Sequence, residues 1–132
     1  PDLTEENIPV KSIVCGHVRY APTGSDPSPA EVGLPVNIFY GQKDDKGNVE
    51  YALKTVKVRQ DGYFETTLGC PVGQTLEVRV ECRGTSKDKG GSVETSAYFH
   101  ADIAKTLSCG TAAYFKLDMK PVAYYGESGL VQ

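Results

Sequence analysis

Apolar and polar residues alternate along several short stretches of the chain, and a Gly or an Asp-Gly pair lies at most of the corners between them. The clearest stretch is 76–82, LEVRVEC, in which apolar residues at even positions are separated by charged residues at odd positions. Such alternation indicates strands with one buried face and one solvated face. The pattern predicts seven strands, at residues 8–20, 35–41, 49–58, 63–68, 76–82, 93–100 and 111–118.

The segments between these strands carry turn chemistry. Gly47 lies within a polar hairpin turn at 43–48, QDG occupies 60–62, and GCPVG at 69–73 makes the next corner. Residues 21–33 contain three prolines and two glycines, which predicts a long loop. One short helical turn is expected near 101–107. Strands at this spacing favour an all-β, seven-stranded antiparallel sandwich.

The composition is that of one soluble domain covering residues 1–132, with a polar tail at 1–7 and a second tail at 119–132. The net charge is −3 and the charges of both signs are interspersed, so nucleic acid is not an expected partner. Apolar runs are only a few residues long, whereas about 20 are needed to span a bilayer. No membrane span is therefore expected.

Four cysteines, Cys15, Cys70, Cys82 and Cys109, include no CxxC pair, which argues against a zinc site. Two disulfides in an oxidising compartment fit better. With strands alternating up and down, Cys70 and Cys109 lie at one end of the sandwich, and Cys15 and Cys82 lie towards the other. Cys70 and Cys82 would be separated by roughly 30 Å along a hairpin, too far to bridge. We therefore predict Cys70–Cys109 and Cys15–Cys82.

Residues 33–84 resemble the carboxypeptidase regulatory-like, transthyretin-like (prealbumin-like) sandwiches. The resemblance is carried by GLPV at 33–36, DGYF at 61–64 and GQTL at 73–76. Asp-Gly supplies a tight turn, and the following aromatic residue packs inward. The resemblance implies an immunoglobulin-like or prealbumin-like fold. It also implies a non-enzymatic role, since members are mostly extracellular accessory modules, adhesin repeats and surface stalks.

A sharper resemblance is to the transthyretin-like 5-hydroxyisourate hydrolases. Their pattern of two histidines, a central arginine and a C-terminal Tyr-Arg-Gly-Ser is echoed by His17, Arg59, His100 and YGES at 125–128. Histidines and an arginine can activate water and hold an anion. However, the arginine after Tyr125 is absent. We therefore expect no enzymatic activity and no cofactor.

An intramolecular isopeptide bond is a second chemical alternative. It would join Lys11 to Asp118, with Glu65 or Glu77 as the buried acid whose pKa is raised. The usual acceptor is Asn, and no Asn follows Asn48. Surface charges in solvent are the simpler interpretation.

A calcium loop is a third alternative, at Asp44, Asp45, Asn48 and Glu50. Lys46 stands where the central ligand of an Asp-x-Asp-x-Asp-Gly pattern would be, so a solvated turn is favoured and no metal is expected.

The sequence thus predicts a secreted or cell-surface structural or interaction module, with assembly into oligomers or filaments through strand donation. The donated segment would be 3–14 or 121–132, and the candidate contact residues are Leu3, Ile8, Val10, Tyr124 and Tyr125. Its partners would be other protein subunits or surface proteins. A carbohydrate-binding module of the same fold is the alternative.

Overall fold

The structure is a computed structural model, and it describes residues 8–86 and 97–122. Apart from a 3₁₀ turn at Gln60–Gly62, the regular structure in these residues is all β. The strands are β1 (Pro9–Tyr20), β2 (Ser28–Pro29), β3 (Pro35–Gly41), β4 (Ala52–Lys57), β5 (Tyr63–Pro71), β6 (Thr75–Ser86), β7 (Ala97–Ser108) and β8 (Ala112–Val122). The expected all-β class is confirmed.

The strands form one curled sheet in the order β2-β1-β8-β7-β6-β3-β4, and β5 also pairs with β1. Strand β8 makes the curl, because its first eight residues pair with β1 and its last three pair with β7. The β1–β8 pair is parallel, so the sheet is mixed and the expectation of purely antiparallel strands is wrong there. Turns dictate antiparallel hairpins between sequence neighbours. No turn joins β1 to β8, so local sequence does not set their direction.

Two further expectations are corrected by the pairing. The strands on either side of the corner at 69–73 were expected to form a hairpin, but β5 pairs with β1, and β6 pairs with β3 and β7. The helical turn near 101–107 is absent, because β7 continues as a strand and pairs with β6 over its full length. Ala101 and Leu107 point into the core from that strand. A long cross-strand ladder here overrides the helical tendency of Ala, Lys and Leu.

The core is built from alternate residues of the long strands. Val14 and Val18 of β1 are fully buried, as are Val80 of β6 and Leu117 of β8. Tyr20 packs edge-on against Phe99, with ring centroids 5.1 Å apart. The largest buried side chains are Tyr20, Phe64, Phe99, Phe115, Ile38, Leu117 and Met119. Since Met119 is buried in β8, residues 119–122 belong to a strand, not to a tail.

Cys70 and Cys109 form a disulfide, with Cα atoms 5.7 Å apart, as the topology predicts. The second predicted bridge is not formed, and Cys15 and Cys82 are free thiols. Their side chains point in different directions. Even-numbered residues of β1, such as Val14, face the core, which places Cys15 on the outer face, whereas Cys82 is buried.

Candidate functional site

The outer face of β5, β1 and β8 carries a row of three rings, Tyr63, His17 and Tyr114. Since Val18 of β1 points inward, its neighbour His17 points outward, and the strand register places His17 beside Tyr63. The His17 ring centroid lies 5.3 Å from that of Tyr63 and 5.8 Å from that of Tyr114. His17 Nδ1 and the Tyr114 hydroxyl are hydrogen-bonded at 2.8 Å. The rings on this face are thus held in fixed positions.

A surface cleft of about 320 Å³ adjoins this row, and we call it the aromatic cleft. It is lined by His17, Arg19, Asp61, Tyr114 and Lys116. About half of the Tyr114 surface remains exposed (48%), although its hydroxyl is bonded to His17. The cleft therefore combines an accessible aromatic ring with cationic and anionic groups.

Arg19 and Asp118 form a two-pronged pair between β1 and β8. Arg19 Nε and Nη2 donate to the two carboxylate oxygens at 2.8 and 3.0 Å. These bonds, together with the nearby charges of Lys116 and Lys120, outweigh partial burial and hold the pKa of Asp118 below its ordinary value. The parallel register places Arg19 beside Asp118, so the β1–β8 pairing itself creates this contact.

Asp61 reaches the rim of the cleft through an unusual backbone conformation. Its φ is +59°, in the left-handed region that Asp tolerates better than most residues. The next residue, Gly62, has φ +78°, and a Cβ there would collide with the carbonyl oxygen of Val18. The Asp-Gly pair in the sequence is therefore required by both the turn and its close approach to β1.

Beyond His17, Tyr63 is fixed by two charged residues. Its hydroxyl donates to Glu65 Oε1 at 2.7 Å, and this bond, aided by desolvation, raises the pKa of Tyr63 to about 12. The Arg59 guanidinium lies 5.1 Å from the Tyr63 ring centroid and 3.6 Å from Glu65. His17 and Arg59 thus both contact Tyr63.

His100 belongs to a different polar network, on the outer face of β6 and β7. Its Nε2 lies 3.1 Å from Glu81 Oε2, and Arg83 donates to the same oxygen at 2.9 Å. Partial burial alone would raise the pKa of Glu81, but hydrogen bonds from three neighbouring side chains outweigh it and lower that pKa. The structure therefore brings His17 and Arg59 together and places His100 elsewhere. Tyr125 lies outside the described residues.

The residues predicted for an isopeptide bond and for a calcium loop do not form such sites. Lys11 lies eight residues before Arg19 on β1, roughly 26 Å along the strand, while Asp118 is paired with Arg19. Lys11 and Asp118 are therefore not brought together. In the 43–48 turn, Asp44 Oδ1 accepts the backbone N–H groups of Lys46 and Asn48, both at 2.9 Å. That carboxylate shapes the turn.

Of the predicted contact residues, Ile8 and Val10 are described. Ile8 is exposed, and its carbonyl accepts the N–H of Val72 at 2.8 Å. Val10 packs against the core, and residues 9–14 pair with β5, so this part of segment 3–14 already belongs to the chain's own sheet. Leu3, Tyr124 and Tyr125 lie outside the described residues.

Sequence reasoning did not single out four cleft residues, Arg19, Asp61, Tyr114 and Lys116. The alternation in 112–119 does predict that Tyr114 and Lys116 share the exposed face of a strand. What the sequence lacks is a signal that β8 lies beside β1, and without that pairing the cleft cannot be recognised.

No family model matches the chain, and neither the curated proteins nor the solved structures include one that is significantly similar to it. Among residues 8–86 and 97–122, no helix is long and apolar enough to cross a membrane. The same residues contain no group of three or more His, Cys, Asp or Glu side chains placed to hold a metal ion.

Proposed function

We propose that the chain is a non-enzymatic structural or interaction module of a secreted or cell-surface protein, and that it assembles by strand addition. In this proposal β5–β1–β8 and β4–β3–β6–β7 are the two layers of a prealbumin-like sandwich. The Cys70–Cys109 bridge supports an oxidising compartment. The observation that carries the proposal is that two edge strands, β4 and β5, are covered to different extents.

The free edge of β5 is partly covered. The Tyr63 carbonyl accepts the Arg59 N–H at 2.6 Å, and the Thr67 carbonyl accepts the Lys54 ammonium at 3.1 Å. An incoming strand would have to displace these donors. This edge is therefore protected against pairing with another chain.

The edge of β4 is the better acceptor. Within the described residues, β4 pairs with β3 alone, and it is exposed along almost all of its length. Leu53 is 56% exposed and lies on the outer face, opposite Phe39 of β3. An added strand would satisfy the free backbone groups of β4 and cover part of this apolar surface.

The proposed occupant of the β4 edge is the segment 1–7 of a second copy. Its sequence, PDLTEEN, contains three carboxylates and no lysine or arginine, whereas β4, ALKTVK, contains two lysines and no acid. Lysines on an edge oppose pairing between two identical β4 strands and favour an acidic partner. Donation from one copy to the next is head-to-tail and builds open chains of subunits.

Light scattering after size-exclusion chromatography tests this proposal. We expect the 132-residue chain to form oligomers that dissociate at high salt, and a chain lacking residues 1–7 to be a folded monomer. Truncation at residue 7 leaves β1 intact, since β1 begins at Pro9. Lys57→Glu should weaken assembly, whereas Lys11→Glu, the same charge change on β1, should not. Monomers throughout, or oligomers without residues 1–7, would contradict strand donation.

A second candidate function is carbohydrate binding by the same fold. The aromatic cleft favours it, because an exposed ring beside several hydrogen-bonding groups is suited to a sugar. This candidate concerns the β1–β8 face and is independent of the β4 edge.

A further inference from the structure

We infer that the aromatic cleft binds an acidic carbohydrate, that is, a sugar chain with a carboxylate on its pyranose rings. The inference rests on the second candidate function above and specifies its ligand. It does not involve the β4 edge, so its failure would leave the assembly proposal untouched.

Tyr114 supplies the aromatic ring on which a sugar ring would stack. Its ring is half exposed, and its hydroxyl is fixed by His17, which in turn packs against Tyr63. A tyrosine ring held in this way loses little conformational entropy when a ligand stacks on it. The apolar face of a pyranose matches such a flat, exposed ring in size and polarity.

Lys116 and Arg19 are the side chains that would bind the carboxylate of the ligand. The Lys116 side chain is 66% exposed and lies 3.9 Å from Asp118, a loose contact that leaves its ammonium accessible. Arg19 uses Nε and Nη2 to hold Asp118, so neither N–H of Nη1 takes part in that pair. A ligand carboxylate beside Tyr114 would therefore meet the exposed ammonium of Lys116 and the guanidinium of Arg19, which Asp118 holds in place.

The charge balance favours a ligand of low negative charge. Two cations, Arg19 and Lys116, and one carboxylate, Asp61, line the cleft of a protein whose net charge is −3. This small positive excess suits single carboxylates spaced along a sugar chain. A polyanion such as nucleic acid needs a larger basic surface. The Asp61 carboxylate is available as an acceptor for sugar hydroxyls.

Isothermal titration calorimetry with four probes tests the inference. The probes are a tetramer of galacturonic acid, the neutral galactose tetramer, inorganic sulfate and a tetraglutamate peptide. We expect the uronic acid tetramer to bind at least about tenfold more tightly than the neutral one, which corresponds to 1.4 kcal/mol. Sulfate should bind more weakly than either, because it cannot stack on Tyr114.

Matched variants locate the site. Tyr114→Ala should weaken binding of the uronic acid tetramer by about tenfold or more, whereas Tyr51→Ala should not, although Tyr51 is equally exposed at 48%. Lys116→Gln should reduce affinity for the acidic tetramer towards that for the neutral one, and Lys57→Gln should leave it unchanged. Far-UV circular dichroism checks that each variant is folded.

Four results would overturn the inference. They are no binding of the uronic acid tetramer, equal binding of the neutral tetramer, equal binding of sulfate, and equal binding of a tetraglutamate peptide. The last two would show that charge alone is recognised. Binding that survives Tyr114→Ala and Lys116→Gln would place the ligand elsewhere on the molecule.

Discussion

Among the glycines that the structure describes, Gly16 leaves the least space for a side chain. It lies in the middle of β1, paired with Phe64 on one side and Phe115 on the other. A Cβ at this position would overlap the carbonyl oxygen of Phe115 and lie 3.0 Å from the Phe64 ring. Because the obstacle is backbone, it cannot move aside cheaply. We expect Gly16→Ala to lower the free energy of unfolding by about 3 kcal/mol.

Gly69 provides the matched control for this prediction. It also lies in a paired strand, yet the nearest atom to a Cβ there is the Val10 carbonyl oxygen at 4.0 Å. Gly69→Ala should change stability by less than about 1 kcal/mol, through reduced freedom of the unfolded chain. Urea unfolding of both variants measures the difference. Equal effects at the two glycines would mean that β1 does not approach β8 as described.

Asp118 makes stability depend on pH. Its pKa is lowered in the folded protein, mainly by the hydrogen bonds from Arg19, so its contribution is present above the ordinary pKa of Asp and is lost as pH falls through the folded pKa. We expect Asp118→Asn to lower stability at pH 7 and to make the acid side of the stability curve less steep. Unfolding in urea measures both effects when it is repeated at a series of pH values on either side of the ordinary pKa of Asp, which is about 4.

Asp102 offers a comparison for Asp118 on the other outer face. It also accepts a hydrogen bond from an arginine, Arg79, at 2.7 Å. Asp102→Asn is therefore a control for the loss of an arginine–carboxylate hydrogen bond at neutral pH. An acid side of the stability curve that is as steep in Asp118→Asn as in the parent protein would contradict the role of the Arg19 pair.

The two free thiols are expected to differ in reactivity. Burial raises the pKa of the Cys82 thiol to about 12, so almost no thiolate forms at neutral pH, whereas Cys15 lies on the outer face and is partly exposed. We expect iodoacetamide to modify Cys15 in the folded protein and Cys82 only after unfolding. Peptide mass spectrometry without reductant measures the modification of both cysteines. A Cys15–Cys82 peptide, or equal labelling rates, would show that these side chains are placed otherwise.

Among the strands, β4 and β5 are joined by a side-chain hydrogen bond and not by backbone pairing. Lys54 extends from β4, and its ammonium donates to the Thr67 carbonyl of β5, although the two strands are not paired. Lys54→Met should leave that carbonyl without its protein donor and accelerate hydrogen exchange in β4 and β5 relative to β6. Lys57→Met, three residues later on β4, is the control. Unchanged exchange in Lys54→Met would mean that the lysine does not hold this side of the sheet together.

The strands themselves were largely predictable, and their partners were not. The bounds of β3 agree with the prediction from its Pro and Gly ends, and β6 shows a period of two that no helix would share. The local pattern that marks a strand does not say which strand it pairs with. Residues 60–62 and 69–73 mark turns correctly, yet neither turn joins paired strands, because β5 crosses to β1. Because β1 has apolar residues on both faces, its sequence also did not show on which face the Cys15 side chain lies.

For the molecule as a whole, long-range pairing decides both the fold and the cleft. Arg19 and Asp118 meet only because the ends of the chain run parallel in β1 and β8, and Asp61 joins them from a turn in between. Each of these residues is ordinary in its local sequence. The disulfide between Cys70 and Cys109 was predictable because it required only the direction of each strand, which places both turns at the same end of the fold. Predicting the cleft would have required knowing which strands are neighbours in the sheet.

The Cys70–Cys109 bridge is the covalent link across this long-range fold. It joins the end of β5 to the turn between β7 and β8, and buried Ser12 of β1 lies between the two, accepting the Gly110 N–H at 2.8 Å. The bridge spans a sequence separation of 39 residues. Closing such a loop restricts the unfolded chain, so we expect replacing both cysteines by Ala to lower the free energy of unfolding by about 2–4 kcal/mol.

The fold should nevertheless survive loss of the bridge, because β1 remains paired with β5 and β8 on either side of it. Cys15→Ser is the control, since Cys15 takes part in no disulfide and should change stability little. Chemical unfolding of the three proteins at neutral pH separates the two cases. If the double variant is as stable as the parent, the bridge does not constrain the unfolded chain. If it is unfolded, the β1 pairings are too weak to hold this end of the sheet alone.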